Sequence, residues 1–195
     1  NQVTDLEQLR GLKMRFFGLG ARVMQKIGVS TQLLAGGDIF PALEKGVIDA
    51  TEFSMPAMDI KYGFYQIAKY NYFPGWHQQT SVSQILINMD KWKGLTDQQR
   101  KMLEIACGES IHHTYAETEA VNPGAMLEMG QKYGVETKRW TDDQLAVFEK
   151  AWNEVLEEDA ANDPLFKEVA ESYSSFRKTY AKWGEAQALN ATYLK

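Results

Sequence analysis

Between positions 12 and 53 strand-like and helix-like runs alternate, and that alternation limits the folds open to the chain. Residues 12–17 (LKMRFF) put Leu12, Met14 and Phe16 on one side and Lys13, Arg15 and Phe17 on the other, the pattern of a strand with one buried face. Gly18-Leu19-Gly20 follows, then a helical run to Gly28, a strand over 29–35 and a turn at Gly36-Gly37. The stretch GGDIFPALEKGVIDATEF (36–53) reads as a short helix feeding a strand. Asp38 is its expected N-cap, Pro41 lies in the first turn, and Gly46 stops it before Val47 and Ile48. A β-α-β-α-β order predicts a mostly parallel sheet with helices packed on it.

In open sheets of this kind ligands bind beyond the carboxyl ends of the strands. Two charged residues sit at such ends. Arg15 precedes a glycine-rich turn that opens a helix, where an anion would meet a guanidinium and a positive helix terminus together; a surface arginine at a strand end fits the same pattern. Glu52 follows Val47, Ile48 and Ala50 and precedes Phe53, Met55 and Pro56, so it is either a carboxylate that needs a cation or donor, or a solvated loop residue. Gly18-Leu19-Gly20 also starts a dinucleotide fingerprint, but Val23 stands where its third glycine belongs.

Further along, 58–70 predicts a helix, Pro74-Gly75 a break and 84–89 a last strand. Tyr70, Tyr72, Phe73 and Trp76 form an aromatic cluster whose default is core packing, with His77 and Gln78 as polar groups at a pocket wall. Thr96-x-x-Gln99 and Thr141-x-x-Gln144 are capping boxes, the first opening a long helix to about Gly130 with a possible bend at Pro123-Gly124. Leu145, Phe148, Trp152 and Val155, and after Pro164 the series Phe166, Val169, Tyr173, Phe176, Tyr180 and Trp183, keep a 3-4 spacing that makes an apolar seam.

Composition removes several functions. Ten basic residues stand against eight acidic up to position 95, and eleven against eighteen after it, so the acidic second half repels phosphate backbones and a nucleic-acid partner is not expected. Cys107 alone allows neither an internal disulfide nor a CxxC site. Glu109, His113 and Glu117 share a helix face, which reads as a solvated charged face; no nucleophile motif serves either His112 or His113. The start lacks Met and a signal-peptide pattern, which reads as a processed, truncated or cut chain. No enzyme is expected.

The blocks GLKMRFFGLG (11–20), GGDIFPALEKGVIDATEF (36–53) and KYNYFPGWHQQ (69–79) together resemble the extracytoplasmic solute-binding protein of a TRAP (tripartite ATP-independent periplasmic) transporter, in the branch that takes 2-oxo or 2-hydroxy monocarboxylates such as pyruvate or lactate with a metal cation. The resemblance implies an α/β, periplasmic-binding-protein-like lobe with a mostly parallel sheet over 1–85. It implies a return strand and long bracing helices over 86–163, and a C-terminal dimerisation helix over 164–195. A first lobe would precede Asn1. By the same resemblance Arg15 grips the ligand carboxylate, and Glu52, the Phe53 carbonyl and Gln78 hold a sodium or calcium ion, with Trp76 in the ligand site. Phe53 stands where Trp is common, and Gln78 where some relatives carry an acid. Periplasmic location, a membrane permease partner and a homodimer are implied with them. The readings set against this are a helical scaffold whose function is the aromatic seam and, resting only on the broken GxG, an NAD-dependent enzyme.

Overall fold

The structure is a computed structural model, and residues 2–81 and 83–188 are described. Strand β1 (Lys13–Arg15) is central in a three-stranded parallel sheet, flanked by β2 (Ser30–Gln32) and β3 (Ala50–Thr51). The helices α1 (Gly18–Lys26) and α2 (Gly36–Glu44) make the crossovers, as the alternation requires. The strands are shorter than expected. At β1 the expectation of one buried side is corrected: Phe16 is buried and so is Arg15, because a parallel sheet between helices is covered on both faces.

Helix α2 departs from expectation at its start. Both glycines enter the first turn behind an Ala35 cap, so Asp38 is inside the helix and Pro41 is past its first turn. The bond that Pro41 forgoes is one to the Gly37 carbonyl, and Gly37 is exposed to water. Gly46, at φ +67°, does stop the helix. The chain then turns Ile48 into the core and leaves Val47 exposed, which delays β3 to Ala50.

The helix expected over 58–70 is instead α3 (Pro56–Lys61), a 3-10 turn Phe64–Gln66 and strand β4 (Tyr70–Phe73). Gly63, left-handed at φ +76°, breaks the run. No strand forms over 84–89 among the described residues; Ile85 and Leu86 are exposed, and α4 (Met89–Lys93) starts on an Asn88 side-chain cap. Helix α5 (Asp97–Tyr133) carries the Thr96–Gln99 capping box and runs 37 residues with Pro123 inside it. Strand β5 (Glu136–Arg139), which the sequence reading lacked, pairs in parallel with β4. Helices α6 (Asp142–Asn162) and α7 (Pro164–Gln187) follow, the first with the Thr141–Gln144 capping box and the second on an Asp163 cap.

Two cores position the site. Leu9, Phe16, Met24, Val29 and Phe148 fill one side, and Ile39, Ala42, Leu43, Ile48 and Phe64 the other. Helix α6 inserts Val155 and Ala151 against Val23 of α1, and Arg22 and Lys26 of α1 pair with Glu158 and Asp159 of α6. On α7 the seam Val169, Tyr173, Phe176, Tyr180 and Trp183 remains more than half exposed, so the described part of the chain does not cover it.

Candidate functional site

Arg15 ends β1, and Glu52 follows β3 directly. Parallel register sets Arg15 beside Thr51, and the Glu52 amide donates to the Arg15 carbonyl at 3.1 Å. Two residues 37 positions apart therefore meet at the carboxyl edge of the sheet. The guanidinium is 9% exposed with the rest of its residue, and a charge so placed must be paired. Nε donates to the Leu34 carbonyl at 3.2 Å, Nη1 donates to the Glu52 carbonyl at 2.9 Å, and Nη1 also pairs with Glu52 Oε1. The rings of Phe17 and Phe53 lie 5.4 and 5.8 Å from the guanidinium carbon. Nη2 has no protein acceptor among the described residues.

Residues after β4 form an adjoining wall. The Trp76 ring stacks on Phe148 at 4.9 Å and lies 6.0 Å from Phe16, so it packs on the core while also lining the cleft. His77 sets Nε2 3.4 Å from Glu52 Oε2. Gln78 is exposed and donates from Nε2 to Ser81 Oγ at 2.6 Å, which leaves its amide oxygen as an acceptor. Gly20 explains the GxG without a nucleotide: a Cβ there would fall 2.5 Å from Phe16 Cε1 and 3.3 Å from His77 Cδ2. The glycine lets α1 approach these rings.

Glu52, Phe53, Trp76, His77 and Gln78 line one cleft of about 1570 Å³, joined by Asp59 of α3 and Asn122 of α5. Asn122 fastens the two helices, accepting from the Ala57 amide at 3.1 Å and donating to the Thr118 carbonyl at 2.8 Å. Burial, and secondarily the charge of Glu52, push the Asp59 carboxyl up to about 7. The sequence reading lacked Asp59 and Asn122, whose place depends on how α3 and α5 pack, which no local pattern encodes; Phe17 it set on the face of Arg15 without reading it as a site residue.

A hard cation fits the donor set here. Glu52 supplies a carboxylate, Phe53 a backbone carbonyl with no amide partner among the described residues, and Gln78 an amide oxygen. No cluster of three His, Cys, Asp or Glu side chains suited to a metal occurs among the described residues, so a site here would rest on mixed oxygen donors.

The sequence matches the bacterial extracellular solute-binding proteins of family 7, DctP, over residues 1–163. The chain belongs to that family. It is 31% identical over 189 residues, 97% of its own length, to a monocarboxylate 2-oxoacid-binding periplasmic protein of Nostoc sp.. Its fold superposes with a TM-score of 0.89 on a TRAP transporter solute-binding protein from Bordetella bronchiseptica, 31% identical over 96% of this chain, a mixed-occupancy dimer with copurified calcium and picolinate. A TRAP periplasmic solute-binding protein from Pseudoalteromonas atlantica, with bound sodium and pyruvate, matches at 0.90 with 25% identity over 96% of the chain. The chain spans about half the length of these relatives, 52%, 55% and 57% respectively. The mixed α/β fold with parallel sheets, expected from the alternation, is thereby shown, and it matches the TRAP solute-binding architecture that the resemblance implied. DctP proteins are solute-binding rather than catalytic by family.

Proposed function

We propose that this DctP chain carries one side of the ligand cleft of a periplasmic solute-binding protein, which captures a 2-oxo or 2-hydroxy monocarboxylate such as pyruvate or lactate with a sodium or calcium ion and passes it to a TRAP membrane permease. The observation that carries the reading is the Arg15–Glu52 pair, in which Glu52 lines the cleft and Arg15 is buried directly behind it. Arg15 keeps two N–H groups on Nη2 for an incoming carboxylate, and Glu52 offers anionic oxygen to a cation. Helix α1, which starts at Gly18 just after Arg15, carries neither a side-chain cap nor an acid in its first turn, so its first-turn amides add to the positive potential. In this reading Trp76 is a packed wall, and Glu52, the Phe53 carbonyl and Gln78 hold the ion. When bound, the ion would neutralise the charge that the ligand brings. The division into a ligand lobe (1–85), bracing helices (86–163) and a dimerisation helix (164–195) belongs to the same proposal.

The relatives support the ligand class by what they bind: the Nostoc protein is named for 2-oxoacids, and the Pseudoalteromonas structure holds pyruvate with sodium. Calorimetry of the protein with both sides of the cleft, using pyruvate, lactate and longer 2-oxo acids with and without sodium or calcium, is the test; the 195 residues alone are expected to bind weakly or not at all. Heat of binding for a short 2-oxo acid that depends on a cation is expected. Indifference to every acid and ion would leave the scaffold reading, which the exposed α7 seam favours.

A further inference from the structure

The Glu52 carboxylate is approached from two sides by groups that differ in kind. Arg15 takes Oε1 with a charge, while Oε2 lies 3.4 Å from Nε2 of the His77 imidazole. The position of that ring is fixed closely. Phe16 meets it edge-on with centroids 4.8 Å apart, Trp76 lies 5.3 Å away, and the missing side chain at Gly20 admits Cδ2. The side chains of His77 and Glu52 are 18% and 13% exposed, so water competes weakly for the contact. Neither imidazole nitrogen makes a hydrogen bond of good geometry among the described residues, the approach to Glu52 Oε2 at 3.4 Å being its nearest polar contact to a charged group, although a glycine and two aromatic rings place it.

A hard ion prefers oxygen to imidazole nitrogen, and a carboxylate that ligates an ion is commonly oriented by a neighbouring donor. We propose that His77 is a positioning residue for the cation. Its Nε2–H holds Glu52 Oε2 while Arg15 holds Oε1, so that the carboxylate is oriented before the ion arrives. The inference rests on the cation reading of Glu52 given above. It requires one tautomer, with the proton on Nε2 and Nδ1 bare.

The first measurement needs no metal: long-range 1H–15N NMR of the wild-type chain near neutral pH reads the His77 tautomer. The Nε2–H form is expected, with that preference lost in Glu52→Gln. A dominant Nδ1–H form overturns the inference, and this readout does not depend on how any His77 variant folds. The second is a calcium titration followed by calorimetry. His77→Phe keeps the ring slot filled and removes the donor, and is expected to weaken calcium binding by about 10- to 100-fold. His77→Gln restores a donor at the Nε2 position and is expected to stay within about threefold of wild type, a rescue that a purely structural role would not give. A wild type that binds calcium beside an unimpaired His77→Phe overturns this inference alone. A wild type that takes up no calcium removes the cation reading and this inference with it.

Discussion

Arg15 grips Glu52 twice, through the backbone carbonyl at 2.9 Å and through the carboxylate, both from Nη1. The double grip ties the end of β1 to the residue after β3 and leaves Nη2 as the guanidinium nitrogen without a protein acceptor among the described residues.

Arg15→Lys should therefore weaken carboxylate binding although charge is kept, because one ammonium cannot serve Leu34, Glu52 and a ligand in the plane of a guanidinium. Arg15→Ala should cost about 2–5 kcal/mol of binding free energy. Calorimetry with pyruvate checks both. Affinity within about twofold of wild type for Arg15→Ala would end the clamp assignment.

Glu52→Gln should reduce or abolish the cation dependence of ligand binding, since hard cations favour anionic oxygen. The same substitution leaves Arg15 buried beside a neutral amide, so a fall in melting temperature should accompany it. If chelator leaves wild-type affinity unchanged, the cation role is wrong.

Asp59 gives a pH signature. Its carboxyl titrates near 7 when folded against an ordinary value of 3.8, burial being the main cause and the charge of Glu52 the second. The folded state holds the extra proton throughout that interval, so stability falls as pH rises from about 4 to 7 and the full penalty is present above 7. Asp59→Asn should raise stability at pH 8 by an amount of the order of 2–4 kcal/mol, with the gain vanishing near pH 4. Equal shifts in thermal melts at both pH values would contradict it.

The α7 seam predicts assembly. Val169, Tyr173, Phe176, Tyr180 and Trp183 lie along one side of a 24-residue helix with Phe176 and Tyr180 stacked at 5.6 Å, and most of that side is open to water. We expect a homodimer in which this helix packs on a second copy, and a monomeric or insoluble chain when it is cut after Asp163. Light scattering decides: a soluble monomer of the untruncated chain at micromolar concentration refutes the dimer, and a truncated chain that stays dimeric moves the interface elsewhere.

Much of the fold was legible because its cues are local. The periodicity switch over 12–53 marked the parallel crossovers, Gly46 marked the end of α2, and two Thr-x-x-Gln boxes marked the starts of α5 and α6. What stayed hidden depends on distant partners. ETKR at β5 shows no apolar alternation because Glu136, Thr137 and Arg139 are exposed and its ladder to β4 rests on backbone bonds. Ile85-Leu86-Ile87 has strand composition but no ladder among the described residues. At the site, Arg15 and Glu52 were visible singly as strand-end charges, whereas their contact follows from the β1–β3 register. Asp59 is acidic in any window of sequence; only burial in the folded chain removes it from water.

The pairing of β4 with β5 also sets a length requirement. It places Phe73 beside Arg139, six residues past the end of α5, while the chain must next reach the start of that helix at Thr96. A helix of 37 residues is roughly 55 Å long. If β5 doubles back along α5 it returns roughly 20 Å, so residues 74–96 must cover at least roughly 35 Å, against a limit of roughly 65–75 Å for that many residues with α4 coiled among them. The connector thus has a minimum length set by the helix and slack beyond it. Its strand-like residues are suited to being drawn out, and its stretch carries His77 and Gln78 at one end. Loss of a few residues, like lengthening, should be tolerated, and only removal of about ten or more should pull on the cleft wall, so the ruler for this connector is the long helix it runs back along.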